Sequence, residues 1–400
     1  MALTLAIWST YSIVTITLGA LLYFHPLSRF PGPRLAAVSN VWYAYHWLSG
    51  RWPWAVEDAL RKYGPVVRVA PHELAFFTPQ ALTDIYSPHH KNIEIFVKTN
   101  FQNRGKDLGG LIWEEDPVRH REVARKLSPA FSSRFIRSLE PIVHEYMDYF
   151  VTQMKDLGAD SAGVPLVRWT NWLAMDMSAD LAWNEKMHQM RDRKDSVHLD
   201  ALLSFNSFAT VLQVFKRFPL FKPLQYLFAP FGKITVFSQI ERATRSSVLR
   251  RIEQRGKTEH VDYFDHILPV DASLPSNERE LVHIGSVALQ VMFAGWGPMG
   301  DLFYGSLVLL LEHPESYAAL AAEIRRSFSN YEDIVPEALS HLSYLHACVE
   351  ETLRMLPSNL TGLPRISPGA AVDGQYIPRG VSTPVMALQF LPFTHATQYT

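Results

Sequence analysis

The residues that most directly suggest chemistry stand close together late in the chain. Cys348 is the only cysteine among 400 residues, and it is soon followed by Glu351 and Arg354, which form a Glu-x-x-Arg pattern. Because residues three apart on a helix share one face, this carboxylate and this guanidinium can bind each other and a further partner. A single cysteine excludes an intramolecular disulfide, and it excludes zinc and iron–sulfur sites that need several cysteines.

Cys348 has a plain structural interpretation. It shares helical spacing with Leu345, Val349, Thr352 and Leu356. A free cysteine in such a pattern behaves as a small apolar residue. We therefore predict that Cys348 faces the core and that it is not a thiolate ligand for a metal.

The overall composition narrows the possible functions. The chain carries a net charge of −1, with 48% hydrophobic and 19% charged residues, which fits a globular protein with a sizeable core. No strongly basic stretch is present, so nucleic acid is excluded as a partner. The 16 histidines are scattered, and the one adjacent pair, His89-His90, is predicted to lie in a loop. We therefore expect no metal site built from protein side chains.

The elements that would position these residues begin with an apolar N-terminal segment. Residues 1–28 contain no Asp, Glu, Lys or Arg, and Leu3–Leu22 is long enough to cross a bilayer as a helix. Arg29 and Arg34 follow, which by the positive-inside tendency leaves the rest of the chain in the cytosol. We therefore predict a single-pass membrane anchor over residues 1–25. A cleaved signal peptide is the alternative.

Periodic patterns predict a mainly helical body. Helical spacing of apolar residues runs from Trp52 to Tyr63, over residues 134–155 and over residues 283–311. The β-rich run Val66–Ala70 comes directly after Gly64-Pro65 and predicts a short strand.

Residues 205–231 are rich in phenylalanine and are interrupted by three prolines. Core packing is the ordinary interpretation. The other is a hydrophobic flap that dips into the bilayer and covers a substrate channel, since exposed apolar patches mark membrane or ligand contacts. The phenylalanines are Phe205, Phe208, Phe215, Phe218, Phe221, Phe228 and Phe231.

The stretch from Leu342 to Pro357, which holds the Glu-x-x-Arg pair, resembles the helix that precedes the haem-binding loop of cytochrome P-450 monooxygenases. Pro364-Arg365 and Asp373–Gly380 resemble the strands that follow it in this family, and Lys62–Val69 resembles part of its first sheet. The likeness covers roughly residues 29–385. It is greatest to fungal members that act on small apolar natural products.

The resemblance implies a cytochrome P-450 domain over residues 26–400, mainly α with small β-sheets, behind an N-terminal transmembrane helix. It implies haem as the cofactor, a small apolar substrate, and the membrane and an NADPH-dependent reductase as partners. It also implies location in the endoplasmic reticulum membrane, with the body of the protein in the cytosol. In this family the Glu351 and Arg354 pair would hold the haem-binding core together rather than act chemically.

The resemblance also points to residues that would contact a haem propionate. His120 and Ala124 stand where the family has the Trp and Arg that bind this group. Ala124 has no polar side chain. The candidate contacts are therefore His120, Arg125, which directly follows Ala124, and Arg365, which lies much later in the chain. The alternative for Arg125 is a solvated helix face.

The proton relay of the family is altered in this chain. Phe293–Pro298 occupies the place of the family's Ala-Gly-x-Asp/Glu-Thr, with Gly297 at the acid and Pro298 at the threonine. Loss of a positioned proton donor costs about 10²–10⁴-fold in rate, and proline removes a backbone donor and kinks a helix. Asp301 lies one turn further on, but proximity alone does not make it the donor. We therefore assign no catalytic residue here.

The haem-binding loop of the family, a Phe-x-x-Gly-x-Arg-x-Cys-x-Gly stretch, has no counterpart in these 400 residues, and residues 380–400 contain no charge. In the family the cysteine of this loop binds haem iron as a thiolate. We therefore expect a cytochrome P-450 fold that lacks its C-terminal haem-loop segment, impaired haem binding and no monooxygenase activity from the chain as given. Two alternatives stay open: an active monooxygenase whose sequence is mis-spliced or frameshifted at the end, and a non-catalytic, membrane-bound binding partner in a biosynthetic pathway.

Overall fold

The computed structural model describes residues 19–87, 89–90, 93–99, 110–158, 163–228, 234–358 and 361–386. Most of the predicted membrane anchor lies outside these ranges, and so do Phe231 and the end of the chain from residue 387. The first described element is a short π-helix, Ala20–Phe24.

The described part of the chain is mainly helical, as predicted. In chain order its α-helices are α1 (Arg34–Val38), α2 (Val41–Leu48), α3 (Trp52–Tyr63), α4 (Pro79–Tyr86), α5 (Pro117–Leu127), α6 (Ser133–Ser138), α7 (Glu140–Gly158), α8 (Leu166–Trp183), α9 (Gln189–Asp192), α10 (Val197–Phe215), α11 (Ile234–Glu253), α12 (Phe264–Ile267), α13 (Glu278–Glu312), α14 (Pro314–Ser327), α15 (Pro336–Leu339) and α16 (Ser343–Met355). Short 3-10 helices cover Ser128–Phe131, Pro219–Phe228 and Tyr331–Asp333.

Small antiparallel strand pairs complete the fold. The strands are β1 (Val66–Ala70), β2 (Glu73–Phe76), β3 (His89–His90), β4 (Ile93–Glu94), β5 (Val97–Lys98), β6 (Arg365–Ile366), β7 (Ala370–Val372) and β8 (Gln375–Ile377). The strands form four pairs: β1 with β2, β3 with β4, β5 with β6, and β7 with β8. The predicted architecture, mainly α with small β-sheets, is confirmed. His89-His90 lies in a strand rather than in the predicted loop.

Helix α3 and strand β1 have the bounds that the sequence predicts. Proline suits the first turn of a helix, where no N–H is needed, and Pro53 stands there. The last turn of α3 carries basic residues, which complement the negative end of the helix dipole. Gly64 ends α3 with a φ of 110°, a conformation that favours glycine.

The prediction of one continuous helix over residues 134–155 is wrong, because the helix breaks within this range. The structure has two helices, α6 and α7, divided at Leu139. Pro141 explains the division, because a proline inside a helix lacks the N–H donor and clashes with the carbonyl four residues earlier. It is tolerated in the first turn of α7.

The packing of α13 on α8 forms the centre of the molecule. Nearly every residue from Trp169 to Trp183 is buried, and these side chains form the main hydrophobic cluster together with α13. Glycine allows the close approach of the two helices, since a Cβ at Gly295 would lie 2.8 Å from Ser178 Oγ.

Helix α13 is longer than predicted, because it starts before His283. Its N-cap is Asn277, whose Oδ1 accepts a hydrogen bond from the Glu280 amide at 2.9 Å. The helix continues through Pro298 to Glu312. Among the described residues, α13 alone is long and apolar enough to cross a membrane. It lies in the middle of the chain, whereas the predicted anchor is N-terminal.

The first strands pair with residues near the end of the described chain. Ser382 forms a parallel bridge with Glu73 and an antiparallel bridge with Ile366, and Val385 forms a parallel bridge with Phe76. One sheet edge is therefore built from residues about three hundred positions apart in the sequence. We call this pairing the sheet closure, and it places β5 and β6 beside the first hairpin, β1–β2.

The Phe-rich segment is only partly buried. Phe208, Phe215 and Phe218 are half-buried, whereas Phe221 and Phe228 are exposed. Core packing therefore does not describe residues 219–228. The large apolar side chains exposed there and on α2, which packs against the same helix α10, form what we call the apolar patch: Leu220, Phe221, Leu224, Tyr226, Leu227 and Phe228, with Val41, Tyr45 and Leu48.

Candidate functional site

Two of the predicted propionate contacts come together at the β5–β6 strand pair. Arg365 in β6 pairs with Lys98 in β5, and His120 projects from the neighbouring helix α5. His120 Nδ1 lies 3.4 Å from Glu94 Oε1, and Lys98, Arg365 and Glu114 also act on its charge. We call Lys98, His120 and Arg365 the cationic cluster.

The electrostatics of the cationic cluster favour an incoming anion. Burial, with a contribution from nearby Arg365, lowers the pKa of Lys98 to about 8, while Glu94 and Glu114 act in the opposite direction. Burial also lowers the pKa of His120 and of Arg365. Three basic groups brought together in partial burial are stabilised when a negative charge arrives. Glu94 and Glu114 offset part of this positive charge, and the arrangement is a candidate site for a carboxylate or a phosphate.

Lys98 was missed by sequence reasoning. It stands in a strand of two residues whose partner, Arg365, is far away in the chain. No periodic pattern reveals the pairing of strands this short, since their register depends on the tertiary fold. The Arg365 guanidinium also lies over the ring of Tyr86, with its Cζ 5.2 Å from the ring centre.

Arg125 lies apart from the cationic cluster. Its side chain is exposed and lines a cavity of about 1790 Å³ between α5 and the first turns of α13. Ala124 is half-buried one turn beyond His120 on the same helix. The proposed contact of Arg125 with a propionate stays a prediction, and the described geometry gives it no support.

The positions of the altered proton relay carry no side chain that transfers protons. Gly297 is half-buried with open space where a Cβ would lie, and Pro298 is exposed inside α13. The neighbouring Trp296 donates its indole N–H to Asn171 Oδ1 at 3.0 Å, which ties α13 to α8. Burial raises the pKa of Asp301, one turn further on.

Glu351 and Arg354 form an ion pair on α16. Arg354 Nε donates to Glu351 Oε2 at 2.6 Å, and Nη2 donates to Oε1. Both side chains are partly exposed. Thr352 is the buried residue of this helix, and its Cγ2 lies 3.1 Å from the Cβ position of Gly305 in α13. The pair therefore lies on the outer side of a helix whose inner side packs on α13.

Cys348 is half-buried on α16, one turn before the buried Thr352, so it lies on the predicted face of the helix but is not fully covered. Burial raises the pKa of its thiol, and the nearby charge of Glu323 raises it further. A thiol with a raised pKa is protonated at neutral pH, which makes it a poor nucleophile. Different groups surround the cationic cluster, where Glu94, Glu114, Lys98 and Arg365 act on the pKa of His120.

These residues fit one end of a haem group. The cationic cluster suits the two carboxylates of haem. Cys348 lies on α16 and is not among the groups that act on the cationic cluster. Across the described ranges, no three His, Cys, Asp or Glu side chains are grouped to hold a metal ion. Within the described ranges, the site thus offers basic groups for the acidic edge of haem, and no ligand for its iron is identified there.

Comparison with known proteins points to one family. The cytochrome P-450 family model matches residues 31–388. The chain is 48% identical over 383 residues to the cytochrome P-450 monooxygenase TwmD of Talaromyces wortmannii, in an alignment that spans 94% of this chain and 75% of that relative. It is 33% identical over 358 residues to the cytochrome P-450 monooxygenase poxC of Penicillium oxalicum, spanning 90% and 67%. It is 32% identical over 361 residues to the cytochrome P-450 monooxygenase BOA3 of Botryotinia fuckeliana, spanning 90% and 70%.

Proposed function

The chain belongs to the cytochrome P-450 family and is a monooxygenase by homology, and from this premise we propose that its 400 residues do not by themselves perform haem-thiolate oxidation. The observation that carries the proposal is the state of the one cysteine. In the family a thiolate donates electron density to the haem iron and favours O–O cleavage. Cys348 lies half-buried within α16, on the same helix as the Glu351–Arg354 pair, so we infer that it does not supply that ligand.

The proton relay supports the same proposal independently. Gly297 and Pro298 stand where the family places an acid and a threonine, and neither side chain carries an exchangeable proton. Removal of a positioned donor costs about 10²–10⁴-fold in rate. Chemistry at this site would therefore be slow even if an iron ligand were supplied.

Substrate and partners follow from the family and from the apolar patch. We propose a small apolar natural product as the ancestral substrate, an NADPH-dependent reductase as the redox partner and the endoplasmic reticulum membrane as the location. The apolar patch supports membrane contact, since side chains such as Leu220, 91% exposed, and Leu227, 71% exposed, are rarely left to water without a partner.

A reduced carbon monoxide difference spectrum tests the proposed inactivity. The 400-residue chain is expressed, supplied with haem, reduced and exposed to carbon monoxide beside an authentic cytochrome P-450 monooxygenase. We expect the thiolate-type Soret band from the control and none from this chain. A thiolate-type band from the chain would overturn the proposal.

A second candidate function, a non-catalytic ligand carrier, is favoured by the cationic cluster. Lys98, His120 and Arg365 converge in a partly buried site that suits carboxylates. Metal-free protoporphyrin has the two carboxylates of haem but no iron, and its dimethyl ester lacks both charges. We expect the chain to bind the free acid at least about tenfold more tightly than the ester, since charge-assisted hydrogen bonds are the stronger ones. Equal affinities in titration calorimetry would contradict the assignment of the cluster.

A further inference from the structure

Gln290 is a fully buried amide in the middle of α13, seven residues before the altered relay position Gly297. Its side-chain Oε1 accepts two backbone hydrogen bonds, from the Leu111 amide at 2.8 Å and from the Ile112 amide at 2.7 Å. A buried side-chain oxygen with two donors fixes the backbone that supplies them. Gln290 therefore holds the loop that precedes α5.

The same loop is held from its other side by the cationic cluster. Lys98 Nζ donates a hydrogen bond to the Leu111 carbonyl at 2.7 Å. The peptide group between Leu111 and Ile112 thus donates its N–H to Gln290 and accepts from Lys98 through its C=O. Hydrogen bonds in such a chain polarise and strengthen one another. A continuous polar connection runs from α13 to Lys98.

The close fit at Gly110 shows that this arrangement is specific. Gly110 has a φ of 100°, which glycine adopts readily. A Cβ at this position would lie 2.4 Å from Gln290 Nε2, so a larger residue displaces the amide. Both the space beside Gln290 and the backbone conformation therefore favour glycine at residue 110.

The loop also leads into the helix that carries His120. Asp116 caps α5, with its Oδ1 accepting from the Val118 amide at 2.9 Å, and His120 follows one turn later. A shift of the loop therefore moves His120 as well as Lys98. The groups that face Lys98 are Arg365, Glu94, Glu114 and His120.

We propose that Gln290 is a positioning residue for the cationic cluster: it fixes the Leu111–Ile112 peptide, which fixes the Lys98 ammonium beside His120 and Arg365. Gln290 touches no ligand in this role. It connects the central helix of the molecule to the anion-binding residues, so a change in α13 alters the charge and geometry of the cluster. The proposal rests on the proposed function only for the nature of the anion.

The test compares Gln290→Leu with Gln290→Glu in the full chain. Leucine has a similar volume and no acceptor, whereas glutamate keeps an oxygen for the two amides. In Gln290→Leu we expect hydrogen exchange of the Leu111 and Ile112 amides to accelerate roughly tenfold or more. We also expect Lys98, followed by its acylation rate against pH, to titrate at a higher pH than in the wild type, since it leaves the buried position that lowers its pKa. Gln290→Glu should keep the slow amide exchange.

Two outcomes decide the matter. If the amides of Gln290→Leu exchange faster while Lys98 titrates as in the wild type, the connection to the cluster is refuted. If both change together, it is supported. If Gln290→Leu does not fold, Gly110→Ala replaces it, because a Cβ at residue 110 displaces the Gln290 amide from the loop side. Amide exchange and the titration of Lys98 then decide between the same two outcomes. Protoporphyrin binding is measured separately, so its failure in the wild type would remove the assigned ligand and leave the Lys98 result standing.

Discussion

Asp180, buried near the end of α8, is held by two side chains that lie far from it in the sequence. Tyr146 donates its hydroxyl to Asp180 Oδ2 at 2.8 Å, and His260 Nε2 lies 2.9 Å from Oδ1. Burial alone would lower the pKa of His260, but the hydrogen bond and the charge of Asp180 outweigh it and raise that pKa. The protonated histidine is therefore stabilised in the folded protein.

The raised pKa of His260 predicts a loss of stability as the pH rises. A group whose pKa is raised on folding contributes fully below its unfolded value, about 6.5, and the contribution disappears as the pH passes the folded value. We expect His260→Gln to cost on the order of 1 kcal/mol at pH 6, after allowance for solvent screening, and less at pH 8. Thermal unfolding at both pH values measures this.

His346 provides the matched control. Its imidazole is exposed on α16 and lies 4.0 Å from Glu350, so His346→Gln should leave the pH dependence of the melting temperature unchanged. If His260→Gln shifts the melting temperature equally at pH 6 and pH 8, the protonated pair is not the source of the stabilisation.

Single residues were predicted to different extents. The Glu351–Arg354 pair followed from a local spacing of three, and the structure has the two side chains in contact. Cys348 was placed too deep, because helical spacing names a face of α16 but not how completely that face is covered. Lys98 and Gln290 could not be found, since their roles depend on contacts with Arg365 and Leu111, which lie far from them in the chain.

Two glycines of α13 differ in how closely neighbouring side chains approach them, and this decides whether a larger residue fits. Gly297 has no atom near the Cβ position, whereas a Cβ at Gly305 would lie 2.8 Å from Leu356 Cδ1 and 3.1 Å from Thr352 Cγ2. Thr352 has little freedom to move, because its Oγ1 donates to the Cys348 carbonyl at 2.8 Å and accepts from Ser306 Oγ at 3.3 Å.

The same substitution at these two sites should have opposite effects on stability. Gly297→Ala fills open space and gains helix propensity, so we expect stabilisation by about 0.5–1 kcal/mol. Gly305→Ala overpacks the contact with α16, so we expect destabilisation by about 1–3 kcal/mol. Circular dichroism during thermal unfolding compares them, and stabilisation by both would show that α16 yields easily at this contact.

Long periodic segments were predicted well, and interruptions and short strands were not. The pattern of α3 and the apolar spacing of α13 gave the right element types, because both signals are local. The division between α6 and α7 was missed although Pro141 marks it. Strands of two or three residues such as β5 and β6 form only where the whole fold brings them together.

The apolar patch is a property of the whole surface. The 3-10 helix Pro219–Phe228 follows α10, whose end is held in place by a buried ion pair between Arg217 and Glu73, 2.5 Å apart. The Arg217 guanidinium also lies over the Tyr43 ring of α2, with its Cζ 3.5 Å from the ring centre. Both parts of the apolar patch pack against α10.

Membrane contact by the apolar patch predicts a strong effect of replacing two leucines. Burial of a leucine side chain contributes about 1.5–3 kcal/mol. In a chain that starts at Pro26, so that the predicted anchor does not contribute, Leu220→Ser with Leu227→Ser should reduce binding to neutral phosphatidylcholine vesicles more than tenfold. Vesicle flotation measures the bound fraction.

Val270 and Leu274 provide the control for this experiment. They are 61% and 57% exposed in the loop between α12 and α13, away from the apolar patch in the chain. Replacing both with serine should leave vesicle binding unchanged. Equal losses from the two double variants would mean that binding follows general hydrophobicity rather than the patch.

The sheet closure that joins Glu73 and Phe76 to Ser382 and Val385 sets the order in which the protein is completed on the ribosome. The first hairpin emerges roughly three hundred residues before its edge partner, an interval of about 15–60 s at ordinary rates of translation. During that time β2 presents an open edge, the kind of surface on which nascent chains associate wrongly. Folding of this corner is therefore a late event of synthesis, and chaperones have their longest opportunity to act at the part of the protein that is made first.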